Sequence, residues 1–384
     1  MRTVGLFAGI GGLELGLLRA GHETLATCEI DAAAAAVLAA RFPGLDNHPD
    51  ITTLTDLPAG TELLCGGFPC QDLSQAGKTA GIEGSRSGLV GHVFRLLSRR
   101  RVPWLVLENV PFMLHLDGGR ALGRIVAALE ELNYRWAYRV VNSMAFGLPQ
   151  RRQRVYLVAS LDGDPADVLL ADEAALTLSE NAIGRLAHGF YWTEGIKGLG
   201  WAADAVPTLK NGSTLGIPPP PAVLRPDGGL VKPDIRDAER LQGFPADWTS
   251  PAEAVRRPGW RWGLVGNAVS VPVAEWLGRR LREPGHYDRS RDLVPIPRPG
   301  WPKAARFDGT TRHEVRISSA PVSVARPHLH DFLEYPGTSL SPRATQGFLG
   351  RTRRSGLRFP AGFLDAVEAH LLKIGGHPMR LAAE

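Results

Sequence analysis

A thiol, a carboxyl group and two guanidinium groups stand at strand ends and turns of this chain, where such groups can act on a substrate. Cys70 ends the run Leu63-Leu64-Cys65-Gly66-Gly67-Phe68-Pro69-Cys70-Gln71, which reads as an apolar strand entering a rigid turn. Pro69 fixes the backbone just before the thiol, and Gly66 and Gly67 are read as residues that let the chain turn sharply after the strand. A thiolate is a nucleophile, but a free thiol has a pKa of roughly 8.5 and needs help to ionise near neutral pH. Glu108 closes the apolar run Trp104-Leu105-Val106-Leu107. A strand end of that kind can raise a carboxyl pKa and make it a general acid. Arg152 and Arg154 flank Gln153 at the entry to another strand, so by period two they are expected on one face. An arginine there can stabilise charge that builds up during an addition. Cys65, inside the apolar run, reads as a buried structural cysteine.

The elements that would position these groups alternate in type. Strands are expected over Thr3–Ala8, Thr24–Glu29, Thr61–Cys65, Trp104–Leu107, Tyr138–Asn142 and Arg154–Ala159, with helices over Leu13–Ala20, Asp31–Arg41 and Ala121–Leu132. Such alternation predicts an α/β fold with a mostly parallel sheet covered on both faces. Residues 162–235 are irregular, with clusters such as Gly189-Phe190-Tyr191-Trp192. Order returns from Asp237, and Gly266-Asn267-Ala268-Val269 leads into a helix over Val271–Leu281. Beyond Pro284 the chain is rich in Arg and Pro, and its one clear helix is expected over Gly362–Leu372.

The first strand runs into Gly9-Ile10-Gly11-Gly12-Leu13-Glu14. Glu14 stands where a dinucleotide-binding turn would carry its third glycine, and no Gly-Lys-Ser/Thr marks a phosphate loop. Glu29 ends the second strand about 20 residues further on, where an acid can accept hydrogen bonds from ribose hydroxyls. Asp50-Ile51 is expected to close the third strand.

Taken in order, Leu6 to Gly12, Pro69-Cys70-Gln71, Glu108-Asn109-Val110, Gln150-Arg151-Arg152-Gln153-Arg154, Arg240-Leu241-Gln242-Gly243-Phe244-Pro245 and Gly266-Asn267 resemble the DNA cytosine-5 methyltransferases of bacterial restriction-modification systems. The resemblance spans roughly residues 3–281. It implies a Rossmann-like methyltransferase sheet with a small, loop-rich target-recognition domain, and S-adenosylmethionine, which has no pyrophosphate, as cofactor. It places Cys70, Glu108, Arg152 and Arg154 in catalysis. Cys70 would add to C6 of a flipped-out cytosine, Glu108 would assist at the ring nitrogen, Arg154 would meet the cytosine O2, and Arg152 would make adjacent backbone and acid contacts. Cofactor contacts would come from Phe7 against the adenine ring, Ala8, Gly9, Gly11, Gly12, Glu29, Asp50 at the adenine amine, Ile51, Pro69, Leu89 and Asn267. Gln71, Ser74 and Arg86 would line the base cleft, and Ser74 to Ser87 would form a mobile lid. No metal is implied. Two departures stand out: the family usually has Asp where this chain has Gly5, and often Ser where it has Ala268.

The expected division is a catalytic domain over 1–161, target recognition over 162–235, a returning segment over 236–285 and an extension of unassigned role over 286–384. Lys197, Trp201, Lys210 and Asn211 are the side chains expected to suit base reading, and the tail from 286 is expected to take no part in it. The implied partner is double-stranded DNA, with room for a cognate restriction endonuclease acting on the same site, and the chain is expected to be a monomer. With 384 residues, 3 Cys and a formal charge of +5, the chain reads as a soluble cytoplasmic protein that permits nucleic-acid binding without establishing it. Its apolar runs are too short to span a membrane. Two other readings remain open at this stage. A transfer-RNA methyltransferase of the same fold typically shows Cys-Phe-Thr, which this chain lacks, and a non-catalytic DNA-binding regulator has no use for the full catalytic set.

Overall fold

A computed structural model describes residues 1–69, 88–212, 220–295 and 300–377. Cys70, Gln71, Ser74 and Arg86, and the lid expected over 74–87, lie outside the described residues. The chain divides into two compact units: Met1–Ala145 with Gln153–Leu176 and Ala268–Ser323, and Phe146–Arg152 with Thr177–Asn267 and Val324–Glu384.

The first unit is built on a 10-stranded sheet of β1 (Arg2–Leu6), β2 (Glu23–Cys28), β3 (Asp46–His48), β4 (Leu63–Gly67), β5 (Trp104–Asn109), β6 (Arg135–Asn142), β7 (Gln153–Ser160), β8 (Asp292–Pro295), β9 (Ala304–Phe307) and β10 (Arg312–Val315), in the order β8-β10-β9-β6-β7-β5-β4-β1-β2-β3. Strands β3, β2, β1, β4 and β5 run parallel. From β5 through β7, β6, β9, β10 and β8 every pairing is antiparallel. The sheet is therefore mixed rather than mostly parallel. The link from β6 to β7 is short, and a short link returns a strand antiparallel, whereas a parallel return needs a long crossover.

Successive side chains of β1 alternate between the two faces of the sheet. Val4 and Leu6 belong to the core in which α3 (Leu89–Arg99) and α4 (Arg120–Glu131) bury Val93, Leu97, Leu122 and Val126. On the opposite face, α1 (Gly12–Arg19) lies against α5 (Val271–Arg282), so closely that a Cβ on Gly16 would stand 2.4 Å from that of Ala274. Asp31 caps α2 (Ala32–Arg41) by accepting from the N–H groups of Ala33 and Ala34, both at 2.9 Å, and so turns the chain out of β2. No helix among the described residues is long and apolar enough to cross a membrane.

The second unit carries a five-stranded antiparallel sheet in the order Trp201–Ala203, His188–Phe190, Ala222–Leu224, Leu230–Lys232, Thr338–Ser339. Helices Pro342–Arg353 and Phe363–Lys373 supply Phe348, Leu349, Phe363, Val367 and Leu371 to its core, against Phe190, Leu224 and Leu230 of the sheet. Phe190 lies 4.9 Å from Phe348 and 5.1 Å from Phe363, ring centre to ring centre. Asp204 accepts from the Leu329 N–H at 2.9 Å, and Asp237 accepts from the N–H groups of Glu334 and Tyr335 at 3.1 Å. The boundaries expected from sequence thus shift. Residues 236–267 join the second unit, and the extension divides, its first part supplying β8 to β10 and its last part half of the second core. Aromatics whose partners lie more than 130 residues away in sequence leave no local pattern.

Phe363→Ala should therefore lower the stability of the second unit by roughly 3–5 kcal/mol, the usual result of emptying a buried aromatic site. The expected readout is an earlier thermal transition with faster proteolysis inside 177–267. Wild-type melting and protection would show that the helix is peripheral.

Candidate active site

The strand order of the first unit reverses between β1 and β4, because the chain steps from β1 outward to β2 and β3 and then returns to the other side of β1. Ligands of open α/β sheets bind at such a switch point, outside the carboxyl ends of the strands. Two segments leave the sheet there, Phe7 to Gly12 and Phe68 to Pro69.

The first is a cradle of left-handed backbone, with φ of 53° at Phe7, 55° at Gly9 and 82° at Gly11. A non-glycine residue at such an angle is held there at a cost of order 1 kcal/mol or more, a feature that clusters at functional sites. A Cβ on Gly11 would meet Phe42 at 2.4 Å, whereas one on Gly9 would meet nothing within 4 Å among the described residues, so among these the cradle is tight behind and open in front. Glu29 fastens it: one carboxylate oxygen accepts from the Gly9 N–H and the other from the Asp31 N–H, both at 2.7 Å. Burial raises the Glu29 pKa, while those two N–H groups pull it the other way. The Ala8 N–H donates to the Cys28 carbonyl at 3.2 Å, and Gly12 begins α1. Strand β3 ends at His48, so Asp50 stands in the following turn rather than closing the strand, and its carboxylate accepts from the Thr52 N–H at 2.8 Å, which lowers its pKa. Ile51 is buried, and its carbonyl accepts from Arg95 at 2.8 Å. Open front, glycine backbone and an acid fixed on the neighbouring strand end suit a nucleoside without a pyrophosphate.

Glu14 is the surprise beneath this cradle. Both its carboxyl oxygens are buried and have no hydrogen-bond partner among the described residues. One oxygen lies only 1.9 Å from where a Cβ on Gly5 would stand, so the absence of Asp at position 5 is what admits it. Burial pushes its pKa up to about 7, and the charge of Glu29 adds to the rise. Nearby Cys65 is buried, its thiol donating weakly to the Val4 carbonyl at 3.6 Å, and burial pushes its pKa well up, as befits a structural cysteine.

The second segment is organised by β5. Glu108 is 7% exposed and pairs with Arg154 at the start of β7, Oε1 to Nε at 3.0 Å. Its other oxygen is 3.0 Å from where a Cβ on Gly67 would lie, and a Cβ on Gly66 would meet the Leu6 carbonyl oxygen at 2.4 Å. These glycines are the end of β4, not a turn; they are needed for the space they leave, one to the acid and the other to the neighbouring strand. Asn109 donates to the Phe68 carbonyl at 2.9 Å and accepts from the Val110 N–H at 2.8 Å, which fixes Phe68 just beyond the end of β4. Sequence reasoning assigned Asn109 no role. Pro69 is exposed, and Leu89 begins α3.

Arg152 holds backbone of the second unit. It is 1% exposed, belongs to that unit and donates to the carbonyls of Leu209 at 3.2 Å and Gly266 at 3.1 Å. The pairing with Glu108 described above is made by Arg154. Gln150 likewise donates to the Leu241 carbonyl at 2.8 Å and to Gln242 at 3.2 Å, so this stretch ties together the Arg240–Pro245 and Gly266-Asn267 motifs. Asn267 is exposed and ends its helix in the second unit. Of the expected base readers, Trp201 packs against His188, Phe190 and Phe363, and Lys210 pairs with Glu194 beneath the Tyr191 ring. Lys197 and Asn211 are exposed.

Residues 1–193 match the family described as C-5 cytosine-specific DNA methylase. The chain is 45% identical over 383 residues to the type II methyltransferase M2.BsuMI of Bacillus subtilis, covering 96% of this chain and 97% of that protein. It is 31% identical over 302 residues to M.NgoBI of Neisseria gonorrhoeae, covering 71% of this chain and 90% of that one. Among solved structures, the Dnmt2 methyltransferase of S. pombe aligns with a TM-score of 0.51 at 18% identity, over 74% of this chain and 98% of that one, a likeness of fold.

Glu14 makes a signed prediction. An acid whose pKa is raised from 4.5 unfolded to about 7 folded binds its proton more tightly in the native state, so stability is fullest below 4.5 and falls as pH rises through about 7. The loss should reach roughly 3 kcal/mol. Glu14→Gln, which cannot ionise, should match the wild type near pH 4.5, gain on it up to about pH 7 and keep a constant margin above that, in melting temperature measured across pH. Parallel curves for the two proteins would refute a neutral buried Glu14.

Proposed function

This chain belongs to the family of C-5 cytosine-specific DNA methylases, and from that premise we propose that it works through a covalent adduct of Cys70, with Glu108 as the acid and Arg154 as the group that holds and complements it. The enzyme methylates C5 of cytosine in DNA with S-adenosylmethionine, as restriction-modification methyltransferases do. The observation that carries the residue assignment is the Glu108–Arg154 pair standing over Gly67, three residues before Cys70 in the sequence.

C5 of cytosine is a poor nucleophile. Addition of the Cys70 thiolate to C6 makes the ring an enamine, whose C5 can then attack a methyl group. Glu108 favours this addition by hydrogen-bonding or protonating the ring nitrogen, and the Arg154 guanidinium stabilises the charge that collects on the ring. Loss of the C5 proton and expulsion of the thiolate complete the cycle. The Phe7–Gly12 cradle with Glu29, Asp50 and Ile51 would hold S-adenosylmethionine, which supplies the electrophilic methyl group. A thiol cannot reach C6 inside a duplex, so the target base must be flipped out, at a cost of a few kcal/mol. Pro69, Leu89 and Asn267 complete the proposed cofactor contacts, and Gln71, Ser74 and Arg86 those to the substrate.

Target choice in double-stranded DNA is assigned to the second unit. Its sheet is buried by helices of residues 342–373, so moving 162–235 alone into a relative would strip that core; a working transplant needs 177–267 and 324–377 together. Action as a monomer in the cytoplasm, alongside a nuclease of the same target, completes the proposal.

Duplex DNA carrying 5-fluorocytosine at the target should trap the wild-type enzyme, because the C5 substituent cannot leave. Cys70→Ser should form no adduct and transfer almost no labelled methyl group, while still binding cofactor. Transfer by Cys70→Ser at the wild-type rate would overturn the covalent reading, and label going to RNA rather than DNA would overturn the substrate.

A further inference from the structure

The last 60 or so residues hold a run, Arg351-Thr352-Arg353-Arg354-Ser355-Gly356-Leu357-Arg358, whose four arginines have two different fates. Arg351 donates to the carbonyls of Trp192 at 2.6 Å and Glu194 at 3.2 Å, and Arg353 pairs with Glu368. These two are part of the fold. Arg354 and Arg358 are exposed, and no acid pairs with either among the described residues. Arg354 caps the helix Pro342–Arg353, its Nε donating to the Gly350 carbonyl at 3.0 Å. A cation is favoured at a helix C-terminus even without a ligand, so that residue alone would mean little.

The loop that carries them is built rather than slack. The Ser355 hydroxyl donates to the Thr352 carbonyl at 2.8 Å and accepts from the Leu357 N–H at 3.3 Å. Phe359, directly after Arg358, packs on Phe363 in the core at 5.9 Å between ring centres. A short loop pinned at both ends thus presents two unneutralised guanidinium groups from the unit that also holds the exposed Lys197 and Asn211. Two exposed arginines four residues apart, with no acid paired to either among the described residues, offer the charge and the N–H donors that backbone phosphates take.

We infer that Arg354 and Arg358 grip backbone phosphates of the substrate DNA, so that the segment beyond the shared catalytic motifs is part of the DNA-binding surface. This rests on the assignment of DNA binding to the second unit. Phosphate contacts position a duplex and carry no sequence information, so the pair adds affinity and register while base choice lies with other residues. The 45% match to M2.BsuMI covers 96% of this chain and therefore runs through most of this tail.

The test is the salt dependence of DNA binding by the full-length protein, with a cognate duplex and an unrelated one. Each phosphate contact adds roughly 0.9 to the slope of log K against log salt. Arg354→Ala/Arg358→Ala should lower the slope by about 1 to 2 on both duplexes and leave the ratio of their affinities unchanged. Arg354→Lys/Arg358→Lys, which keeps the charge, should restore most of the slope. Cofactor affinity and melting temperature serve as checks that the alanine variant is folded. An unchanged slope in a folded alanine variant overturns the proposal. So does a slope that falls equally with lysine, since that would indicate a structural role. If the wild-type protein itself binds neither duplex, the assignment of DNA binding fails rather than the role of these two arginines.

Discussion

The site depends on one contact, the carboxylate of Glu108 against the guanidinium of Arg154. A carboxylate at the end of an apolar strand is expensive to bury unless a cation or donors meet it, and removing one partner of a buried pair costs far more than the pair contributes net. The antiparallel half of the sheet is what brings the partner. A parallel strand next to β5 would present its C-terminal end beside Glu108. Strand β7 runs the other way, pairing Glu108 with Tyr156 and Asn109 with Val155, so its first residues arrive at the mouth of the site. The mixed sheet, the glycine at position 67 and the Asn109 tie to Phe68 all serve to house this acid at the end of β5.

The five residues from Gln150 to Arg154 serve both units. Gln150 and Arg152 are spent on carbonyls of the second unit, while Arg154, two residues on, meets the acid of the first. Replacing Arg152 would therefore loosen the backbone around Leu209 and Gly266. Beside the Arg240–Pro245 motif, Glu239 accepts from the Thr249 N–H and pairs with Arg261 in a buried network.

Much of this was legible in the sequence where the signal is local. Strands β1, β2, β4, β5, β6 and β7 and helices α1, α2, α4 and α5 fall within a few residues of their expected places, because apolar runs, glycine turns and the Asp31 cap are short-range patterns. The buried fate of Cys65 was legible for the same reason. What escaped was long-range. Strand β9 carries Arg306, buried against Asp292, and such a charge breaks the apolar alternation that marks a strand. Helix Pro342–Arg353 is rich in Arg, Thr and Gly and shows its apolar face only once Phe348 is seen against Phe190. Trp201 and Lys210 looked like surface readers because their partners, Phe363 and Glu194, could not be foreseen from spacing. Gly66 and Gly67 looked like a turn because a glycine kept for space and a glycine kept for its angles are the same letter.

A double-mutant cycle on the central contact tests this account most directly. Single-turnover methyl transfer would be measured, at saturating cofactor and DNA, for the wild type, Glu108→Gln, Arg154→Ala and the double variant. If the guanidinium acts through the acid it holds, the two losses should overlap, with a coupling of roughly 1–3 kcal/mol and a double variant little slower than the worse single one. Losses that add to within about 0.5 kcal/mol would show that the two groups act independently, and would contradict the claim that the site is built around their pairing.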